Sequence, residues 1–411
     1  MAVVGLAMVA FIVIKTGRDA LVVGAAGGAE RLPLAFGVSG VAALVAAVVH
    51  VLAMSRFGVR RVRIGLFVAS GIVALLAPVW AARPDPSLHV TLFALVPVVF
   101  AALFADAWLL VGDAVESASR EQQRAAYVRV AAASTAGGIA GAAVANGISR
   151  ALEPTGLIAV GGGLLLGVAV LCAFAPRRAT PSRSPGKRPA IAKIVWRLGV
   201  RPFVALLSGL AALGAVVGIL VDLQLYAAAA AHGVADAGFF SSVYLAVSVA
   251  ALAFQLVAGR VLERRIGIVG VLALLPLGLS GLASVAVFTS TLGSRLALRA
   301  AEGGLKAAVH RAAWERAFQP IPEMFRPYVK TVVDGLAARL AETATGFVLA
   351  AVGLALEPLG WVTLVAASSW LGLTLVLRRF TTSARDEDGV PEQRLHEACP
   401  VASILGQEQP P

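Results

Sequence analysis

Apolar residues in this chain come in blocks of about 20, each long enough to cross a hydrocarbon core of about 30 Å as a helix. Short stretches of turn residues or charges separate the blocks, such as ARPDPS after the third and EP after the eleventh. The pattern predicts twelve spans, at roughly 1–24, 32–54, 64–82, 88–112, 127–148, 155–175, 202–228, 238–259, 266–290, 293–315, 329–355 and 359–378. The fold class that follows is an all-α membrane protein. The first block, MAVVGLAMVAFIVIK, has no basic n-region and no convincing small-residue cleavage site, so it reads as a spanning helix and not a signal peptide. The last residues, 381–411, are polar and aperiodic and read as a disordered tail.

Composition supports this picture. The 411 residues are 59% hydrophobic and 14% charged, with a mean hydropathy of +0.85. Soluble chains are nearer 45–50% apolar and about 25% charged. The net charge of +12 raises a nucleic-acid partner, but the placement of the charges argues against one. Most of the 35 Lys and Arg sit in the even-numbered loops and just after the last span. The opposite loops carry only Arg31, Arg83 and Arg150. That asymmetry places both termini in the cytoplasm of a bacterial inner-membrane protein. The two cysteines, Cys172 in a span and Cys399 in the tail, do not suggest a disulfide framework.

The longest loop, PRRATPSRSPGKRPAIAKIVWRLGVRP, divides the chain six spans plus six. The two parts echo each other. Tyr127 and Tyr328, Arg56 and Arg260, and Asp19 and Asp222 are each separated by about 200 positions. The echoes fit the parallel repeat of the major facilitator architecture, in which a substrate site lies between two bundles near the midplane. The expected organisation is an N-terminal six-helix bundle over 1–175, a basic cytoplasmic linker over 176–201, and a C-terminal six-helix bundle over 202–380.

The candidate chemistry lies in charges inside the spans. A charge at the bilayer centre costs about 2.5–3.5 kcal/mol on insertion scales, so these residues must face protein or water. Span 10 carries Arg295, Arg299, Glu302, Lys306 and His310. On a straight helix these five fall within an arc of about 80°. The opposite face, including Leu296, Ala300, Gly303 and Ala307, suits close packing. Two readings stay open, and they are compatible: the wall of a polar cavity, or an ion-pair ladder at i,i+3 and i,i+4. Span 1 carries Lys15, Arg18 and Asp19 on one face, span 7 carries Asp222 and Gln224, and span 11 carries Asp334, Arg339 and Glu342. Span 4 ends with Asp106 and Asp113 near Trp108. Along the candidate path the cations Lys15, Arg18, Arg295, Arg299 and Lys306 outnumber the anions Asp19, Asp222 and Glu302. A desolvated cationic site prefers an anion, and arginine recognises phosphate or carboxylate bidentately. Asp19, Asp222, Glu302 and Asp334 are the candidates for coupling or gating. Asp222 has no basic neighbour in its own span and could carry a proton, or pair with Arg18 or Arg299.

Other signals carry less. GGIAG at Gly137–Gly141 and GGG at Gly161–Gly163 lie inside spans with no strand before them, so they read as packing surfaces and not nucleotide loops. No Walker A, HExxH or Cys/His cluster is present, so neither an enzyme nor a metal or other cofactor is expected.

Four stretches resemble the ATP/ADP translocase-like family of nucleotide exchangers: KTGRDALVVGAAGGAERLP (Lys15 to Pro33), DAWLLVGDAVESASREQQRAAYVRVAAASTAGGIAG, GILVDLQLY, and LKAAVHRAAWERAFQPIPEMFRPYVKTVVDGL. The resemblance runs over roughly 10–380. It implies a major facilitator fold with a transport cavity, basic substrate contacts at Arg18 and Lys306, and an acid at Asp222. The chain departs from the exchangers in lacking an acid in the middle of span 4 and the basic residues after the span-7 acid. The functional expectation is a secondary transporter of organic anions, with nucleotides or related phosphorylated metabolites leading. The alternatives are a proton-coupled transporter of another small solute and a transport-inactive scaffold. The expected partners are a small anionic substrate and the lipid bilayer, with the chain a monomer.

Overall fold

The computed structural model describes residues 2–25, 27–81, 91–94, 96, 120–174, 202–289, 291–318, 321, 326–353 and 356–382. All regular structure among them is helical. The helices are α1 (Ala2–Val23), α2 (Gly28–Phe57), α3 (Val59–Leu75), the short α4 (Ala77–Ala81), α5 (Arg120–Ile148), α6 (Pro154–Phe174) and α7 (Pro202–Ala231). Then come α8 (Ala237–Thr289), α9 (Leu292–Leu305), α10 (Arg311–Ala317), α11 (Arg326–Lys330), α12 (Ala338–Val352) and α13 (Leu356–Thr382). Most of the expected fourth span, the 176–201 linker, the tail from residue 383, and Asp106, Trp108 and Asp113 lie outside the described residues.

Among the described residues, seven helical segments are long and apolar enough to cross a membrane. Their surface is inverted relative to a soluble protein. Val45, Val48, Val49, Leu52, Leu256, Val257 and Val365 are exposed, while Thr16, Arg18, Asp19, Gln224, Arg295 and Glu302 are buried. Apolar side chains facing outward suit lipid, and polar groups turned inward must satisfy one another. The chain is thus a multi-pass membrane protein.

Three element boundaries differ from the expected ones. The loop expected between spans 8 and 9 is largely helical. α8 runs from Ala237 to Thr289 and breaks its helical geometry at Gly267, where φ is 68° and ψ 178°. Glycine adopts that conformation without steric penalty. Span 10 is not one regular helix: a π turn at Lys306–His310 joins α9 to α10. Span 11 contains a second π turn at Thr331–Ala337 between α11 and α12. A π turn adds a residue per turn and shifts the phase of everything after it.

α1 packs against α5 and α6, and α3 against α6. α8 packs against α9 and α13, and α7 against α12 and α13. The N- and C-terminal helices meet where α2 packs on α12 and α5 on α8. At the first seam a Cβ on Gly346 would collide with the Gly37 backbone, 2.7 Å from its Cα and 2.8 Å from the Pro33 carbonyl. Glycine there allows the two backbones to touch. The discounted glycines also sit at packing surfaces: Gly137 and Gly141 abut the α1 backbone, Gly161 abuts Ile14, and Gly162 abuts Gly71.

Candidate functional site

Two polar networks lie between these helices. The first centres on Asp19, whose side chain is 0% exposed. Lys15 and Asp19 are one turn apart on α1, which places both on one face. The Lys15 ammonium donates to Asp19 Oδ2 at 2.8 Å, to Tyr244 Oη at 2.6 Å and to Tyr226 Oη at 3.1 Å. Those bonds use all three of its donors. Arg18 donates from Nε to Asp19 Oδ1 at 2.7 Å and pairs with it through a second nitrogen. Tyr226 donates to Asp19 Oδ2 at 2.9 Å, and Tyr244 donates to the same oxygen. One carboxylate thus joins α1 to α7 and α8.

Aromatic rings wall this hub. The Arg18 guanidinium lies 4.1 Å from the Phe93 ring centre, and the Lys15 ammonium 4.3 Å from that of Tyr244. The Phe36–Phe93, Phe93–Tyr226 and Tyr226–Phe240 pairs meet edge to face at 5.1, 6.4 and 5.7 Å. The rings contact one another around a buried carboxylate, and low-dielectric surroundings strengthen ion pairs.

The second network is the ladder on α9 and the turn after it. Glu302 pairs with Arg299, and with Lys306 at 2.8 Å. Arg299 Nε lies 2.9 Å from Asp222 Oδ1 on α7. That oxygen has no hydrogen-bond partner, so the Arg299–Asp222 contact is ionic without hydrogen-bond geometry. Exposure rises along the network: Glu302 is 7% exposed and Lys306 53%. Gly218 on α7 faces the pair at ordinary contact distance: a Cβ there would lie 3.8 Å from Glu302 Oε1 and 4.0 Å from Lys306 Nζ. Lys15 is within electrostatic reach of Asp222 and Arg299, and Glu302 within reach of Lys15, so the two networks feel each other.

The structure therefore brings together Lys15, Arg18 and Asp19 in one group and Asp222, Arg299, Glu302 and Lys306 in the other. Two members of the expected set stand apart. Arg295 turns into the C-terminal helices, donating to Gln224 Oε1, whose Nε2 donates to Thr363 Oγ1 at 2.6 Å. Asp334 accepts from Trp314 Nε1 at 2.9 Å on the second π turn and joins neither network. His310 packs among aromatic rings: its ring stacks on Trp314 at 6.2 Å and meets Trp370 at 5.5 Å. Tyr226 and Tyr244 are members of the hub that the sequence did not single out. The available signal was a phenol hydroxyl inside an apolar span, which needs a partner when buried. Among the described residues no His, Cys, Asp or Glu group is arranged to hold a metal.

The hub lies near one face. α1 ends at Val23, α7 at Ala231, and α8 begins at Ala237. At 1.5 Å per residue, Asp19, Tyr226 and Tyr244 sit roughly 6–11 Å inside those ends. Lys306 lies about 21 Å along span 10 from Leu292. Outside the hub is a cavity of about 690 Å³ lined by Ala20, Gly24, Ser149, Arg150 and Asp236. At the same end Asn146 donates to Ser241 and Ser242 at 3.2 and 2.7 Å.

No family model and no curated protein matches the sequence. Solved structures do match over nearly its whole length. A point mutant of the nucleoside transporter NupG aligns with a TM-score of 0.66 at 11% identity, covering 92% of this chain and all of that one. A POT family transporter in complex with 5-aminolevulinic acid aligns at 0.63 and 10%, over 93% and 96%. A D-xylose-proton symporter aligns at 0.63 and 16%, over 90% and 96%. The chain has the major facilitator fold. These likenesses do not reach the ATP/ADP translocase-like family.

Proposed function

We propose that this protein is a secondary transporter of organic anions that works by alternating access, with nucleotides or related phosphorylated metabolites as the leading substrate class. The observation that carries the reading is the charge balance of the two networks. Lys15, Arg18, Arg299 and Lys306 face Asp19, Asp222 and Glu302, and Arg295 adds a buried cation whose observed partner is the neutral Gln224. An anion completes such a set, and Lys306 is the cation most open to receive it. In this reading the ladder is the resting state of the site: Glu302 holds Arg299 and Lys306 until substrate competes for them. Lys15, Arg18, Arg295, Arg299 and Lys306 serve binding; Asp19, Asp222, Glu302 and Asp334 serve coupling or gating.

The reading includes twelve spans in two six-helix bundles, 1–175 and 202–380, joined by the 176–201 linker and followed by the 381–411 tail. Both termini face the cytoplasm of a bacterial inner membrane, and the chain is a monomer. ATP/ADP-type exchange rests on the sequence resemblance. One observation favours a second reading, proton-coupled transport: Asp222 is a carboxylate inside α7 whose Oδ1 has an ionic contact with Arg299 and no hydrogen bond. One matched structure is that of a D-xylose-proton symporter.

The deciding experiment is thermal unfolding of purified protein with ATP, ADP, sugar phosphates and dicarboxylates. A ligand that binds only the folded state raises the melting temperature. A nucleotide-specific rise that is lost in Lys306→Ala and Arg299→Ala supports the reading. No rise with any anion, together with liposome flux that follows a pH gradient and fails in Asp222→Asn, overturns it in favour of proton coupling.

A further inference from the structure

The hub does something the ladder does not: it ties the two parts of the chain together. The ladder is built within span 10 and reaches α7 through Arg299 and Asp222. The hub joins α1, from the N-terminal helices, to α7 and α8, from the C-terminal helices. Four hydrogen bonds cross that boundary, and two of them come from the Lys15 ammonium. Other contacts across the boundary cluster at the same end: Asn146 with Ser241 and Ser242, and Gly37 against Gly346. For α1 to separate from α7 and α8 at this end, the four bonds must break.

Lys15 is the part of the hub that can leave at least penalty. Asp19 carries one negative charge and receives two cations. If Lys15 moves away, Asp19 keeps its paired bonds from Arg18, which stays packed over Phe93. No buried carboxylate is then left unpaired, so the large penalty of an orphaned charge does not arise. Lys15 is also within electrostatic reach of the ladder and is 12% exposed, whereas Asp19 is sealed.

We propose that Lys15, Asp19, Tyr226 and Tyr244 form a latch that closes this face, and that an anion held by Arg299 and Lys306 loosens it by drawing the Lys15 ammonium away, which removes two of the four crossing bonds and leaves only the two tyrosine bonds to Asp19 to break. The anion half of this rests on the proposed function. The latch half rests on the hub geometry alone. The consequence is selectivity by charge: a neutral solute that reaches the site cannot attract Lys15 and leaves the latch shut. Tyr226 and Tyr244 are positioning residues here, since each acts through its hydrogen bonds to Lys15 and Asp19.

The test uses full-length protein in liposomes, with Cys172→Ala, Cys399→Ala and a reporter, Ser241→Cys. Ser241 is buried at the seam on the latched face. Its maleimide labelling rate reads opening of that face without requiring a known substrate. The double variant Tyr226→Phe/Tyr244→Phe keeps both rings and removes all four crossing bonds. It should label at least about tenfold faster than the parent with no anion present, and each single variant should fall between. Melting temperature of each variant confirms that it is folded. ATP, with inorganic phosphate alongside, should speed labelling of the parent several-fold and add little in the double variant.

If the folded double and single variants label no faster than the parent, the latch is overturned whatever the ligand. If they label faster and ATP raises the parent's melting temperature without changing its labelling, release by the anion is overturned while anion binding stands. If the variants label faster and ATP and phosphate alter neither readout, release by these anions is overturned and nucleotide binding fails with it, leaving the latch in place.

Discussion

The hub and the ladder use the same chemistry in different surroundings. Both hold carboxylates between two basic groups. In the hub, Asp19 is sealed and its partners come from three helices. In the ladder, Glu302 takes both cations from its own span, and the outer one, Lys306, is half in solvent. A pair sealed across helices fixes how those helices sit. A pair along one span with an open end can exchange partners at little expense. The first suits a structural latch and the second a place where a solute arrives.

Four substitutions test that contrast, in falling order of expected effect. Asp19→Asn leaves Lys15 and Arg18 buried with no counter-charge. Breaking a buried pair in this way costs about 3–5 kcal/mol, so the melting temperature should collapse or the protein should fail to accumulate. A melting temperature near that of the parent would show the hub to be far wetter than its burial implies. Arg299→Ala orphans Asp222 and leaves Glu302 with Lys306 alone, for about 1–3 kcal/mol of destabilisation, together with loss of anion-induced stabilisation. Lys306→Ala removes a half-exposed partner. It should change intrinsic stability by no more than about 1 kcal/mol and still abolish the ligand-dependent rise in melting temperature. That separation of stability from binding sharpens the comparison most, and equal loss of both would erase it. Arg311→Ala, at an ion pair with Glu315 where both side chains are well exposed, serves as the surface control. It should shift stability by only a few tenths of a kcal/mol and leave ligand stabilisation intact.

The two networks also differ in how much of each the sequence disclosed. The ladder is a local pattern. Arg299, Glu302 and Lys306 recur at i,i+3 and i,i+4, and helix periodicity alone places them on one face. Half of the hub was visible for the same reason, because Lys15 and Asp19 are one turn apart. The other half was not, because Tyr226 and Tyr244 reach Asp19 across more than 200 residues of sequence. Nothing local marks them except a hydroxyl in an apolar block. The π turns were equally hidden. Periodicity assumes a constant 100° per residue, which the turn at Lys306–His310 does not keep. Arg295 shows a further limit. Its position on the stripe was read correctly, but its side chain bends to Gln224, because a long flexible arm chooses among the acceptors the fold supplies. The seven membrane-crossing segments found among the described residues were legible because lipid demands long apolar runs.

The contact between α2 and α12 has a consequence for how this protein tolerates change. Gly346 meets the Gly37 backbone with no space for a methyl group, whereas Val348 on the same helix is exposed. Two positions separated by one residue therefore face opposite mutational fates. In a saturation library, almost any apolar residue should survive at position 348. Position 346 should admit glycine alone, which makes this seam one of the narrowest bottlenecks in the chain's accessible sequence space.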